Sequence, residues 1–246
     1  MTPQATLEKM QRMKFIGMAN AWQATMHTGF SHQFTPDELL AHLVDAEWDE
    51  RYNRRLARLL KTANFRNQAS LEQIQFDPLR KLDKNLLLRL STCDWITKGE
   101  NVLITGATGV GKSFLACALG RQACIHGLRV IYFSSIKLFS ELKLAKADGT
   151  YAKELKRIQR HNLVVIDDFG LHPVDEQSKL ILLEILEDRY GETSIIVTSQ
   201  FPTAKWHDIL ASPTIADAIC DRLLHRAYQF ELQGESLRRK SETNSG

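Results

Sequence analysis

The chain has 246 residues, of which 43% are hydrophobic and 25% charged, and its net charge is +3. That length holds one large domain, or a medium domain with a smaller appendage, and supplies enough apolar residues for a self-standing core. No run approaches the eighteen apolar residues of a membrane span, and a mildly basic balance does not by itself specify a nucleic-acid partner, so the placement of the basic residues carries that question.

The opening MTPQATLEKMQRMKF is charged and lacks an apolar h-region, so no secretory leader is expected. Residues 1–70 read as a small all-helical domain. Thr35, Pro36 and Glu38 form a capping-box start. Leu39, Leu40, Leu43, Val44, Trp48, Tyr52, Leu56, Leu59 and Leu60 then recur at three- and four-residue spacing, which predicts one long amphipathic helix. The same segment carries Arg51, Arg54, Arg55, Arg58 and Lys61, followed by Arg66, with no acid between 51 and 66. One reading is a stripe that contacts DNA phosphates; the other is a solvated face with internal pairs Glu47–Arg51 and Glu50–Arg54. A connector follows over 71–98, with Asp77-Pro78 and the apolar Leu86, Leu87, Leu88 and Leu90.

From residue 99 to 240 the texture is that of an α/β domain. Apolar runs of strand length stand at 101–105, 128–133, 163–168, 193–199 and 227–232, with helical patterns at about 112–126, 135–159, 176–190 and 214–225. Continuous apolar strands alternating with helices predict a five-stranded parallel sheet covered on both faces, a three-layer α/β/α fold. Residues 241–246 read as a disordered tail. The four cysteines, Cys93, Cys117, Cys124 and Cys220, include no C-x-x-C pair and read as buried reduced thiols, with no zinc site expected.

Gly106 to Ser113, GATGVGKS, matches the P-loop pattern G-x-x-x-x-G-K-S/T in full and lies between a predicted strand and a predicted helix. Glycines at 106, 109 and 111 let successive backbone N–H groups converge on a phosphate, and the following helix adds its positive end. The nucleotide cradle is read as Gly106, Ala107, Thr108, Gly109, Val110, Gly111, Lys112, Ser113 and Phe114. Lys112 supplies a charge to the β- and γ-phosphates of ATP, and the Ser113 hydroxyl is a hard oxygen ligand for Mg2+. The basic residues of the next crossover, Lys137, Lys143 and Lys146 together with Lys153, Lys156, Arg157 and Arg160, form a second candidate surface for DNA phosphates, and Asp148-Gly149 breaks that crossover into two helices.

LVVIDDF, 163–169, is a Walker-B pattern: a buried strand delivers Asp167 to the magnesium and Asp168 to the attacking water. The fourth strand ends in Thr198, Ser199 and Gln200; Gln200 is the best candidate for sensing a γ-phosphate, against ordinary turn chemistry before Pro202. Arg222 and Arg226 stand four apart near a helix end. They read either as partners of the helix dipole or as an arginine finger given to a neighbouring subunit, with Arg222 preferred.

GATGVGKS, LVVIDDFG, IIVTSQFP, ICDRLLHRAYQFEL and GESLR, with EWDERYNRRLARLLKTANFR and CDWITKGENVLITG nearer the N-terminus, resemble the AAA+ ATPases of the IstB family, kin of the DnaC helicase loaders. The resemblance covers nearly the whole chain. It implies an ATP-hydrolysing, DNA-associated bacterial cytoplasmic protein that forms an ATP-dependent homo-oligomer and works with the transposase of an insertion sequence. By motif position it makes Arg222 the arginine finger and Arg238 the C-terminal sensor arginine. Fewer than fifteen residues follow Leu232, so the helical lid of the wider AAA+ pattern is not expected. The rival expectation is a helicase loader; a small-molecule P-loop kinase fits the paired acids and the late arginine less well.

Overall fold

The computed structural model describes residues 2–28 and 34–237. The chain divides into two compact units between Arg58 and Leu59, inside a helix. The first unit contains α1 (Pro3–Arg12), α2 (Ile16–Thr28) and most of α3 (Pro36–Ala63). Thr35 and Glu38 cap α3 reciprocally: Thr35 N–H donates to Glu38 Oε2 at 2.8 Å and Glu38 N–H to Thr35 Oγ1 at 3.3 Å. The start of α2 comes so close to α3 that a Cβ on Gly17 would collide with the Ala46 carbonyl. There the buried carboxylate of Glu47 accepts the Met18 N–H at 3.3 Å and the Arg51 Nε–H at 2.6 Å. It thus serves an orphan donor of the first turn of α2.

The apolar row expected to face inward on α3 divides. Leu43 and Leu59 are buried, whereas Leu40, Val44, Trp48 and Tyr52 are exposed. A helix of 28 residues turns more than one apolar row to its surroundings, and α2 approaches it at Ala46 and Glu47.

The second unit absorbs the segment that reads as a connector. Ala63, Ala69, Leu87, Leu90, Trp95 and Ile96 are buried there. Two 3-10 turns (Leu71–Gln73 and Pro78–Arg80) lead to α4 (Lys84–Ser91), which Asp83 caps, and to the single turn α5 (Asp94–Thr97). Then come β1 (Asn101–Gly106), α6 (Lys112–Ile125), β2 (Val130–Ser134), α7 (Ser135–Asp148), α8 (Tyr151–Gln159), β3 (Leu163–Phe169), α9 (Glu176–Glu187), β4 (Ser194–Ser199), α10 (Trp206–Leu210), α11 (Pro213–Leu224) and β5 (Ala227–Leu232). Gly149, with φ 79°, ends α7 where the Asp-Gly pair predicts a break.

The sheet has five parallel strands in the order β2-β3-β4-β1-β5. All their carboxyl ends therefore lie on one edge, the usual ligand edge of an open α/β sheet. β1, β3 and β4 are central and almost wholly buried, which is why they read as unbroken apolar runs. No helical lid follows β5 among the described residues. Arg238 and the tail from 241 lie outside the described residues.

Candidate nucleotide site

β1 runs into the loop 106–111, which turns back into α6. Gly109 and Gly111 have φ of 86° and 99°, a region that strains any side chain, and a Cβ on Gly109 would also meet Ser236. Lys112 is buried at the start of α6, and its Nζ donates to the Ala107 carbonyl at 2.8 Å, holding a cation beneath the loop. Ser113 Oγ donates to Asp167 Oδ1 at 2.9 Å, so the two Walker segments meet through the pair expected to hold magnesium.

Asp167 is fully buried at the end of β3 and is surrounded by hydroxyls. Besides Ser113, Thr198 donates to its Oδ1, and Tyr132 donates to its Oδ2 at 2.5 Å. Burial pushes the Tyr132 phenol up, and its bond to the carboxylate adds to that rise, so it stays a donor. The Thr198 hydroxyl also accepts the N–H of Asp168 at 3.0 Å. Asp168 itself has φ 58°, and its carbonyl accepts from Ser135 Oγ at 2.9 Å. Its backbone is thus pinned from β4 and from the start of α7, while its carboxylate stands beside the cleft and pairs with Arg66 at 3.1 Å.

A cleft of about 370 Å3 joins Thr108, Lys112, Ser113, Asp168, Gln200 and Arg66. Gln200 reaches the cleft from the end of β4, as expected from its strand, while Thr198 beside it is the residue that binds both acids. An adjoining pocket of about 260 Å3, lined by Ile74, Leu82, Phe114, Leu232 and Leu237, has the size and apolar walls of a seat for a planar base. Phe114 lines both cavities. The chain after β5 crosses the loop as a strap: Gln233 N–H donates to Arg80 O at 3.1 Å and Leu237 N–H to Gly109 O at 3.0 Å.

Ser113 and Asp167 are hard oxygen donors of the kind Mg2+ selects, and so they fit that ion. Among the described residues no group of three or more His, Cys, Asp or Glu forms a metal cage.

Sequence patterns alone do not single out three parts of this site. Arg66 reads with the basic run, Tyr132 lies inside an apolar strand, and the 74–82 segment reads as a connector. Its Asp-Pro turn between Ile74 and Leu82 is the one local signal that it folds back.

Arg222 stands elsewhere. Ala227 pairs with Asn101 at the amino ends of parallel β5 and β1, so the end of α11 lies at the sheet edge opposite the P-loop. Six strand residues at about 3.3 Å each separate the two edges. Arg222 donates to Ala218 O at 3.0 Å and pairs with Glu187 at 2.9 Å, and Asn101 Nδ2 holds the Arg222 carbonyl at 3.1 Å. Arg222 is therefore not brought to the phosphates of its own chain.

The basic candidates differ in their commitments. Arg51 pairs with Glu47 and lies over the Phe15 ring. Arg54 has no ion-pair partner among the described residues, and the pair Glu50–Arg54 does not form. Arg55 and Arg58 have contacts of their own, and Lys61 is exposed. Lys143 pairs with Asp175 at 2.5 Å, Lys146 sits over the Tyr151 ring, and Lys137 is exposed beside Glu141.

A model of the family described as "IstB-like ATP binding protein" matches residues 8–245. A relative from Sinorhizobium fredii (strain NBRC 101917 / NGR234), "Putative insertion sequence ATP-binding protein y4pL", is 45% identical over 98% of each chain. The "Insertion sequence IS1162 putative ATP-binding protein" of Pseudomonas fluorescens is 37% identical over 83% of this chain and 89% of its own. Among solved structures, DnaI superposes with a TM-score of 0.59 at 21% identity, covering 72% of this chain and 94% of that one. The AMPPCP-bound DnaA of Aquifex aeolicus gives 0.58 at 19%, covering 74% and 55%. These two likenesses show a shared P-loop AAA+ fold. No helix among the described residues is long and apolar enough to cross a membrane. The family match, running from the first helix through the strap over the P-loop, makes this chain a member of the IstB-like ATP binding protein family, an insertion-sequence-associated ATP-binding protein.

Proposed function

We propose that the protein hydrolyses ATP, assembles as a homo-oligomer on duplex DNA and assists the transposase of its insertion sequence. The observation that carries this reading is the division of charged machinery between the two edges of one sheet. Lys112, Ser113, Asp167 and Asp168 stand at the carboxyl edge, while Arg222 is fixed at the amino edge by Asn101 and Glu187. Such a chain completes its site when the amino edge of one copy faces the cleft of the next, which ties turnover to assembly.

In this reading the base of ATP occupies the apolar pocket, the loop amides hold the β-phosphate and Lys112 bridges to the γ-phosphate. Ser113 and Asp167 would hold Mg2+, which when bound would neutralise phosphate charge. Asp168 accepts a hydrogen bond from the attacking water and takes its proton as the oxygen bonds to the γ-phosphorus. The bond from that phosphorus to ADP breaks. Gln200 hydrogen-bonds the γ-phosphate, and Arg222 of a neighbouring copy meets the charge that builds there. Arg54, Arg55, Arg58, Lys61 and Lys137 contact DNA phosphates; Lys143 and Lys146 join them only by leaving Asp175 and Tyr151.

Capture on immobilised duplex DNA, with the element's transposase and a replicative helicase offered together, tests the reading. ATP-dependent retention of the transposase is expected. Retention of the helicase alone would replace this reading with a helicase loader.

A further inference from the structure

Among the described residues Arg66 joins Lys112 as a cation at the phosphate cleft, and it comes from outside both Walker segments. Three residues before it α3 ends, and Asn64 takes φ 54°, turning the chain. Phe65 then anchors the turn: its ring packs on Gly120 of α6, where a Cβ would collide with it, and meets the edge of Tyr132 at 6.4 Å. So the turn is anchored at Phe65, while the Arg66 side chain remains half exposed and reaches Asp168 Oδ2 at 3.1 Å and Asp167 Oδ2 at 3.8 Å.

The two acids are held very differently. Asp167 is locked by three hydroxyls, and its link to Arg66 is long. Asp168 has a pinned backbone but only one side-chain partner among the described residues, Arg66. The guanidinium therefore decides where that carboxylate points, and it occupies one of the two oxygens that would accept from water.

We propose that Arg66 is a brake on Asp168: a positioning residue that holds the carboxylate away from the attacking water until the pair is broken. This rests on the reading of Asp168 as the residue that orients the water. The pair is half exposed, so it is weak enough to release when the Arg66 side chain swings away while the turn stays anchored. Duplex DNA, whose phosphates compete with Asp168 for the half-exposed guanidinium, is the ligand that would draw it away.

The test uses the full chain, with Arg66→Ala, Arg66→Lys, Asp168→Asn and the double variant Arg66→Ala/Asp168→Asn. Steady-state turnover is measured with and without duplex DNA, and affinity with a fluorescent ATP analogue. Arg66→Ala should raise basal kcat about fivefold, the rate equivalent of the about 1 kcal/mol in an exposed ion pair, with KM little changed. Its stimulation by DNA should shrink, Arg66→Lys should fall between it and the parent, and the double variant should be inactive. An unchanged or lower basal kcat with intact nucleotide affinity would overturn the brake, and a lower kcat with a raised KM would make Arg66 a phosphate ligand instead. Turnover surviving in Asp168→Asn would overturn the reading of Asp168 itself, so the two failures are distinguishable.

Discussion

Thr198 joins the two acids of β3 with one hydroxyl: it donates to Asp167 and accepts the Asp168 N–H at 3.0 Å. Replacement by Val keeps the shape and β-branching but removes both bonds. The Asp168 N–H would then lack its acceptor, at a cost of roughly 1–3 kcal/mol. Thr198→Val should lower the melting temperature and reduce turnover more than tenfold, while a fluorescent ATP analogue still binds through the intact loop. Unaltered turnover would show that Ser135 alone holds Asp168 in place. From sequence this strand end offers three polar residues in a row and no means of ranking them. Gln200 reads as the best candidate for sensing a γ-phosphate, and the structure gives the separate task of linking the two acids to Thr198, which faces across to β3. Tyr132 is hidden for a related reason. It sits inside the apolar run of β2, where an aromatic residue reads as core, and only the parallel pairing with β3 brings its hydroxyl to Asp167.

The elements are legible where burial is two-sided. Central parallel strands are covered on both faces, so their apolar runs, the intervening helices and the Asp-Gly break after α7 can be read directly. The P-loop and Walker-B segments are legible for the same reason, each being strand-end chemistry at a fixed spacing. One-sided elements are less so. On α3, apolar spacing marks Leu40, Val44, Trp48 and Tyr52 as core, yet all four are exposed, while the charged Glu47 is buried. No period reveals that a carboxylate will cap another helix. Burial alone would raise the Glu47 carboxyl, but the bonds from Arg51 and from the Met18 and Gly17 amides more than offset it, so the group lies below its ordinary value. The folded form therefore holds the proton more weakly than the unfolded chain. Glu47 contributes its full stabilisation above the unfolded value of about 4.3, and that contribution fades as pH falls through the depressed value. Circular-dichroism melts between pH 7 and 3 should show a helical loss that Glu47→Gln makes smaller, because the variant has no proton to take up. Parallel acid profiles for both proteins would remove Glu47 as the cause.

At the scale of the whole molecule, both remaining predictions concern many copies acting together. If Arg222 serves the neighbouring cleft, Arg222→Ala should bind ATP normally and turn it over poorly. Mixed with Asp168→Asn, it should regain activity where an intact arginine of one copy faces an intact acid of the next. Co-assembled mixtures that stay inactive would exclude that role. DNA binding follows from the same assembly. Each chain offers only a few cations to phosphate: Arg51 is committed to Glu47, and on the crossover Lys143 is committed to Asp175. Such pairings are weak singly and add as avidity when ATP builds an oligomer along one duplex. Binding should therefore show little sequence preference and should tighten with ATP. Arg54, Arg55 and Arg58 fall within one turn and a fraction of α3, so the triple replacement by Ala removes neighbouring cations together. Affinity should drop on every duplex, and the slope of log K against log salt should flatten by about 0.9 for each phosphate no longer neutralised by a chain on DNA. Salt titrations of parent and triple variant on two unrelated duplexes, with ATP saturating, measure that slope. An unchanged slope would make the stripe a solvated helix face and leave Lys137, Lys153, Lys156 and Arg160, on the crossover between β2 and β3, as the DNA path.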